Sequence, residues 1–177
     1  MKTNQNTYPK IQVVPPVDQI NETFYPAEWA HKYGMALRKD FDVFSTGTIG
    51  LGIRAKVPFS RGSAVASFTG QLIGDVLQHT LQVTPTSHLH DPYFIGLLTH
   101  SCAPNCLLDM QNLDVLALTD IAAGDTLTID YALTEDVLFR QFPCSCGSAH
   151  CRNWITGRRD PVNEEGLAYL DRMASEK

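Results

Sequence analysis

Three segments of this 177-residue chain hold most of the side chains that could do chemistry. Leu98-Thr99-His100-Ser101-Cys102-Ala103-Pro104-Asn105-Cys106 sets two thiols around a Pro-Asn turn, with an imidazole just ahead of them. Thr128-Ile129-Asp130-Tyr131-Ala132 reads as a strand ending in a tyrosine, and Cys144-Ser145-Cys146-Gly147-Ser148-Ala149-His150-Cys151 packs three more thiols into a short stretch. Thiolates are soft ligands suited to a tetrahedral zinc ion. Cys144 and Cys146 can grip one ion from a tight turn, and Cys151 can return to it after Gly147. A fourth ligand must come from elsewhere, with Cys102 and Cys106 as candidates. A lone cysteine is usually a small buried residue; three so close, in an odd total of five, point instead to a metal in a reducing compartment.

Two further features are weak alone. Gly50-Leu51-Gly52 is a glycine-spaced turn leading into a strand, and no helix follows that would make it a phosphate loop. Tyr131, by itself, reads as a core aromatic whose hydroxyl finds a partner.

These groups must be positioned by short elements. The pattern predicts an extended arm through about residue 24, a short helix over Pro26–Tyr33 stopped by Gly34, and β-type runs at Phe41–Phe44, Gly52–Val57 and Ala64–Phe68. A brief helix is expected at Val76–Gln82, then a His- and Thr-rich loop enclosed by Pro85 and Pro92. Strands follow at Leu113–Leu118 and Thr126–Tyr131, and a terminal helix over Asn163–Met173. The fold class is therefore mostly β with short helices, in small sheets.

The length suits one domain. A net charge of -5 argues against direct nucleic-acid binding, which needs clustered Lys and Arg. No window approaches a signal peptide or a membrane span, so a cytoplasmic protein is expected, nuclear if the source is eukaryotic.

Taken in order, Gly50-Leu51-Gly52, Phe68-Thr69-Gly70, His100-Ser101-Cys102 with Pro104-Asn105, Gly124-Asp125 through Asp130-Tyr131, and the Cys144/Cys146/Cys151 triplet resemble the SET-domain lysine methyltransferases. The resemblance covers roughly residues 42–157 and implies a SET domain over 42–135 and a zinc-binding post-SET segment over 136–157, flanked by an N-terminal arm and short helix (1–41) and a C-terminal helix or tail (158–177). No cysteine-rich pre-SET region is present, and the insert between Gly74 and Phe94 is short.

The resemblance implies S-adenosylmethionine as cofactor, bound by Gly50, Leu51, Gly52, Thr99 and His100, with Trp154 or Ile155 covering the adenine. It implies a threaded pseudoknot, rare among proteins, that brings Cys102 and Tyr131 to one side. It assigns catalysis to Tyr131 and a structural zinc to Cys102, Cys144, Cys146 and Cys151, leaving Cys106 to packing. The chain departs from the family pattern at Thr99, where Asn is usual, and at Phe68, where a channel tyrosine is usual. Ile129 replaces the usual Phe or Tyr of the lysine channel, which leaves room for multiple methylation. The implied partner is a protein or peptide lysine. The alternatives are a small-molecule acceptor on the same fold and a non-catalytic binding module.

Overall fold

The computed structural model describes residues 22–26, 28–29, 34–47 and 50–176. Most of the expected Pro26–Tyr33 helix and the arm before it lie outside the described residues. The first two strands form a hairpin, β1 (Phe41–Ser45) against β2 (Leu51–Ala55), paired from Phe41↔Ala55 to Ser45↔Leu51. Its turn needs left-handed backbone at Gly47 and Gly50 (φ +79° and +111°), where a side chain would be strained.

Next come β3 (Ala64–Ser67), β4 (Gln71–Ile73), β5 (Thr80–Thr84) and β6 (Ser87–His90). Strands β4, β6 and β5 form one antiparallel sheet in that order, the insert sheet. This corrects the sequence reading twice. The expected Val76–Gln82 helix is a turn followed by β5, and the expected loop between Pro85 and Pro92 contains β6. His79 adopts φ +67°, which interrupts any helix there, and the Thr80 hydroxyl closes the turn on the Leu77 carbonyl at 2.7 Å.

The chain then runs through a 3-10 turn (Ile95–Leu97) into β7 (Thr99–His100). Asp91 holds that entry. Its wholly buried carboxylate accepts N–H bonds from Tyr93, Phe94 and Ile95 at 2.8, 3.1 and 3.1 Å, and the Tyr25 hydroxyl donates to it at 2.6 Å. Burial raises the Asp91 pKa, and these four donors oppose that rise. Around it, the Phe94 ring meets Phe24 and Phe41 at 5.3 and 5.0 Å between centroids, and Ile53, Phe68, Leu127 and Ile129 complete the main core.

Strands β8 (Cys106–Asp109) and β9 (Asp114–Ala117) join β3 in the order β3-β9-β8. Strand β10 (Thr128–Ile129) returns parallel to β7, pairing Thr128↔Thr99 and Ile129↔His100. Helix α1 (Tyr131–Thr134) follows at once, so Tyr131 opens a helical turn rather than ending a strand. Strands β11 (Phe142–Pro143) and β12 (Trp154–Ile155) pair around the cysteine segment. Helix α2 (Glu164–Ser175) closes the chain, with the Asn163 side chain accepting from Gly166 N–H at 2.9 Å and Glu164 and Glu165 in its first turn. Among the described residues, no helix is long and apolar enough to cross a membrane.

Candidate active site and metal centre

The site lies where β7 and β10 run side by side. Asn105 stitches the crossing: its N–H bonds the Thr128 hydroxyl at 3.1 Å, its amide donates to the Thr126 carbonyl at 2.8 Å, and its amide oxygen accepts from Thr128 N–H at 2.8 Å. Ser101 N–H donates to the Ile129 carbonyl at 3.0 Å. Four backbone or amide bonds therefore fix the His100–Asn105 segment to the strand that delivers Tyr131. Strand β2 packs against β7, and Leu127 N–H donates to the Ile53 carbonyl at 2.9 Å, so the Gly50–Gly52 turn leads into the same neighbourhood.

Tyr131 packs between the main core and a smaller cluster built on Leu138, Cys144 and Ile155. Its ring meets His100 and Phe142 edge-on at 5.4 and 5.8 Å. Its hydroxyl donates to the Leu98 carbonyl at 2.6 Å. Burial, reinforced by the nearby Glu135 charge, pushes the phenol up to about 12, so it is neutral at ordinary pH. A neutral phenol held this way can orient a substrate; it cannot serve as a resident phenolate base.

His100 is also neutral: burial brings it down to about 4 against the opposing pull of Asp130. Its Nδ1 accepts from Tyr131 N–H at 3.3 Å, which leaves Nε2 to carry the hydrogen toward Cys102 Sγ at 3.5 Å. One imidazole thus touches both the tyrosine and the thiol cluster. Thr99 packs beside it, its hydroxyl reaching the Leu127 carbonyl at 3.4 Å. Phe68 and Ile129 are wholly buried in the main core.

The Sγ atoms of Cys102, Cys144, Cys146 and Cys151 all lie within 4.8 Å of one another, with Cys102 and Cys144 4.0 Å apart. Tetrahedral zinc with sulfur at about 2.3 Å needs sulfurs roughly 3.8 Å apart, so these residues fit a zinc ion. On Cys146, desolvation is outweighed by backbone hydrogen bonds from Cys102 and Ser148, and its thiol falls to about 6. Burial pushes the Cys144 thiol the other way. Cys106 is apart from the cluster, buried in β8 and pushed up to about 12 by desolvation. The choice left open by spacing alone goes to Cys102.

Trp154 and Ile155 sit differently from the adenine-covering role expected of them. The Trp154 indole is buried, its ring lies 5.5 Å from Tyr169 of α2, and its N–H donates to Gln141 Oε1 at 3.0 Å. Gly166 lies so close to it that a Cβ there would overlap the indole. Ile155 is wholly buried beside Leu138 and Cys144. Neither side chain opens a face to a ligand in this arrangement.

Sequence reasoning missed several residues. Asp130 caps α1, accepting from Ala132 N–H at 3.1 Å, and also meets Arg152. The buried Glu135 carboxylate accepts from Gln82 N–H on β5 at 3.0 and 3.1 Å, and burial raises it to about 7. An Asp directly before a helix is a legible cap signal, but the strand assignment through Tyr131 hid it.

Fold and site together define a mostly β domain with parallel crossing segments and a C-terminal arm suited to a four-thiol metal site. The SET domain family model matches residues 50–132. The histone-lysine N-methyltransferase ASHH2 of Arabidopsis thaliana is 25% identical over 158 residues, covering 74% of this chain and 9% of the relative. The probable histone-lysine N-methyltransferase set-23 of Caenorhabditis briggsae is 26% identical over 155 residues, covering 71% and 64%. The chain thus spans less than two thirds of the length of these relatives. Among solved structures, KRYPTONITE in complex with mCHG DNA and SAH aligns at TM-score 0.55 and 26% identity, over 67% of this chain and 29% of that one. The methyltransferase domain of human SETMAR aligns at TM-score 0.53 and 21% identity, over 66% and 58%. Residues 50–132, the span that carries the Gly50–Gly52 turn, the Asn105 crossing and Tyr131, are thus similar to a SET domain.

Proposed function

We propose that this protein is an S-adenosylmethionine-dependent lysine N-methyltransferase acting on a protein or peptide. The observation that carries the reading is the Tyr131 hydroxyl, held at 2.6 Å from the Leu98 carbonyl where β7 and β10 run together, inside the segment matched by the family model. The relatives named as histone-lysine methyltransferases and the neighbour solved with SAH support it.

S-adenosylmethionine supplies an electrophilic methyl group on a sulfonium. The turn at Gly50, Leu51 and Gly52, with Thr99 and His100, would hold that cofactor. Tyr131 would orient the incoming amine and exclude water with its ring. Its neutral phenol takes no proton from the lysine, so the amine must lose its proton through desolvation in the channel to which the resemblance assigns Phe68 and Ile129. The non-hydroxylic Ile129 side chain holds no water there, which favours transfer of more than one methyl group. Zinc bound by the four cysteines would be structural, fastening the segment that follows α1. A reducing compartment, cytoplasmic or in a eukaryote nuclear, suits its unpaired thiols.

Labelled methyl transfer from S-adenosylmethionine onto a lysine-peptide array, run beside calorimetry with S-adenosylhomocysteine, tests this reading. Binding together with lysine-dependent labelling is expected. Binding without any labelled lysine peptide would move the acceptor to a small molecule, and absence of binding in zinc-loaded protein would reduce the domain to a non-catalytic module.

A further inference from the structure

Arg152 follows the last cysteine of the cluster directly, and its two ends are anchored on different parts of the site. Its Nε donates to Cys102 Sγ at 3.4 Å, and its backbone N–H reaches the same sulfur at 3.4 Å. Its Nη2 donates to Asp130 Oδ1 at 2.5 Å. Asp130 is largely buried (side chain 11% exposed), and the same Oδ1 accepts from Ala132 N–H, capping the helix whose first residue is Tyr131.

We propose that Arg152 is a positioning residue that couples the four-cysteine metal site to the helix bearing Tyr131, through Cys102 on one side and the Asp130 cap on the other. The physical reason lies in helix α1, a single turn of four residues. A helix so short cannot hold itself, because nucleation costs more than one hydrogen bond returns. Its geometry must therefore come from outside, and the cap is where that hold is applied. A planar guanidinium presents several N–H groups in a fixed fork, so it can meet a sulfur and a carboxylate at once; a lysine ammonium on a flexible stem cannot reproduce both contacts. Hydrogen bonds onto a metal-bound thiolate, in turn, stabilise its charge and slow loss of the ligand. An ordinary exposed ion pair contributes little, but this one ends on a carboxylate that is 11% exposed and on a candidate ligand sulfur. His100, between Cys102 and Tyr131 N–H, lies parallel to the same link.

The coupling stands on geometry alone, and only its catalytic consequence rests on the methyltransferase reading. The test is zinc release from zinc-loaded full-length protein to a chromophoric chelator, for wild type, Arg152→Met, Arg152→Lys, Asp130→Asn and the Arg152→Met/Asp130→Asn double variant. Second-layer contacts around a metal are worth about 10–100-fold, so Arg152→Met should release zinc at least about 10-fold faster. Asp130→Asn should also speed release, although Asp130 touches no sulfur, and the double variant should be no faster than Arg152→Met alone. Arg152→Lys should behave like Arg152→Met. Release from Asp130→Asn at the wild-type rate, or effects that multiply in the double variant, would overturn the coupling. If Arg152→Met fails to fold, the Asp130→Asn and Arg152→Lys measurements still decide it. In the activity arm, all three single variants should lower kcat while KM for S-adenosylmethionine stays near wild type. If wild type transfers no methyl group, the functional reading fails while the zinc-release result still stands or falls separately.

Discussion

The cysteine segment and the insert sheet both hold helix α1, and they do so by opposite physical means. On one side, four thiols converge within 4.8 Å, and Arg152 ties Cys102 to the Asp130 cap. On the other, no sulfur takes part: the Glu135 carboxylate accepts from Gln82 N–H on β5, and Gln82 exchanges side-chain bonds with Asp136 at 2.6 and 2.9 Å. Arg158 closes that second grip, donating to Asp136 Oδ1 at 2.9 Å and to the Leu133 carbonyl at 2.7 Å. The cysteine side offers a metal-dependent clamp; the insert side is a half-exposed hydrogen-bond network around one buried carboxylate, Glu135, that burial raises to about 7. One grip should thus respond to chelators and the other to pH.

The largest expected effect breaks the thiol grip. Cys144→Ser should lose zinc affinity by well over about 100-fold and lower the melting temperature, since structural zinc binding is itself folding free energy. Cys106→Ser should keep wild-type zinc content, because its sulfur lies outside the cluster; metal analysis of the purified proteins distinguishes the two. Smaller, and confined to the other grip, is Gly157→Ala. A Cβ at 157 would overlap the Asp136 carbonyl and the Val137 nitrogen, both backbone atoms. Overpacking of this kind costs about 1–3 kcal/mol, measurable by urea unfolding with zinc content unchanged.

The pH response sharpens the contrast further. Burial raises the folded-state Glu135 pKa from 4.5 to about 7, so its ionised form is disfavoured in the fold. The favourable balance is fully present below the unfolded pKa and is lost as pH rises through about 7. Stability of the wild type relative to Glu135→Gln should therefore fall between about pH 4.5 and 7 and then level off, by up to about 3 kcal/mol. A pH-independent difference between the two proteins would place the Glu135 charge in solvent. Gln82→Ala removes the two side-chain bonds to Asp136 and should cost about 1 kcal/mol for each, leaving zinc release untouched.

The two grips also differ in how far the sequence revealed them. The thiol spacing Cys144, Cys146, Cys151 is local, and zinc chemistry restricts what such spacing can mean, so three ligands were legible and the resemblance supplied Cys102. The Gly50–Gly52 turn was legible as a turn because glycine has few substitutes there, whereas the Asn105 crossing came only with the resemblance. The insert side was misread. Val76-Leu77-Gln78-His79-Thr80-Leu81-Gln82 has helix-like spacing, and what makes Thr80–Thr84 a strand is pairing with β6 and the Glu135 bond from a distant part of the chain. Tyr131 was read as a strand end because β10 spans only Thr128–Ile129 and the cap follows at once. Trp154 and Ile155 belong to the packing of α2 and the thiol cluster, contacts that no local pattern encodes.

Single-turnover methyl transfer by Tyr131→Phe tests the central claim most directly. The account makes the hydroxyl an orienting group, so transfer to a lysine peptide should slow by about 100-fold or more, while S-adenosylhomocysteine affinity and zinc content match wild type. Transfer at the wild-type rate in Tyr131→Phe would contradict it.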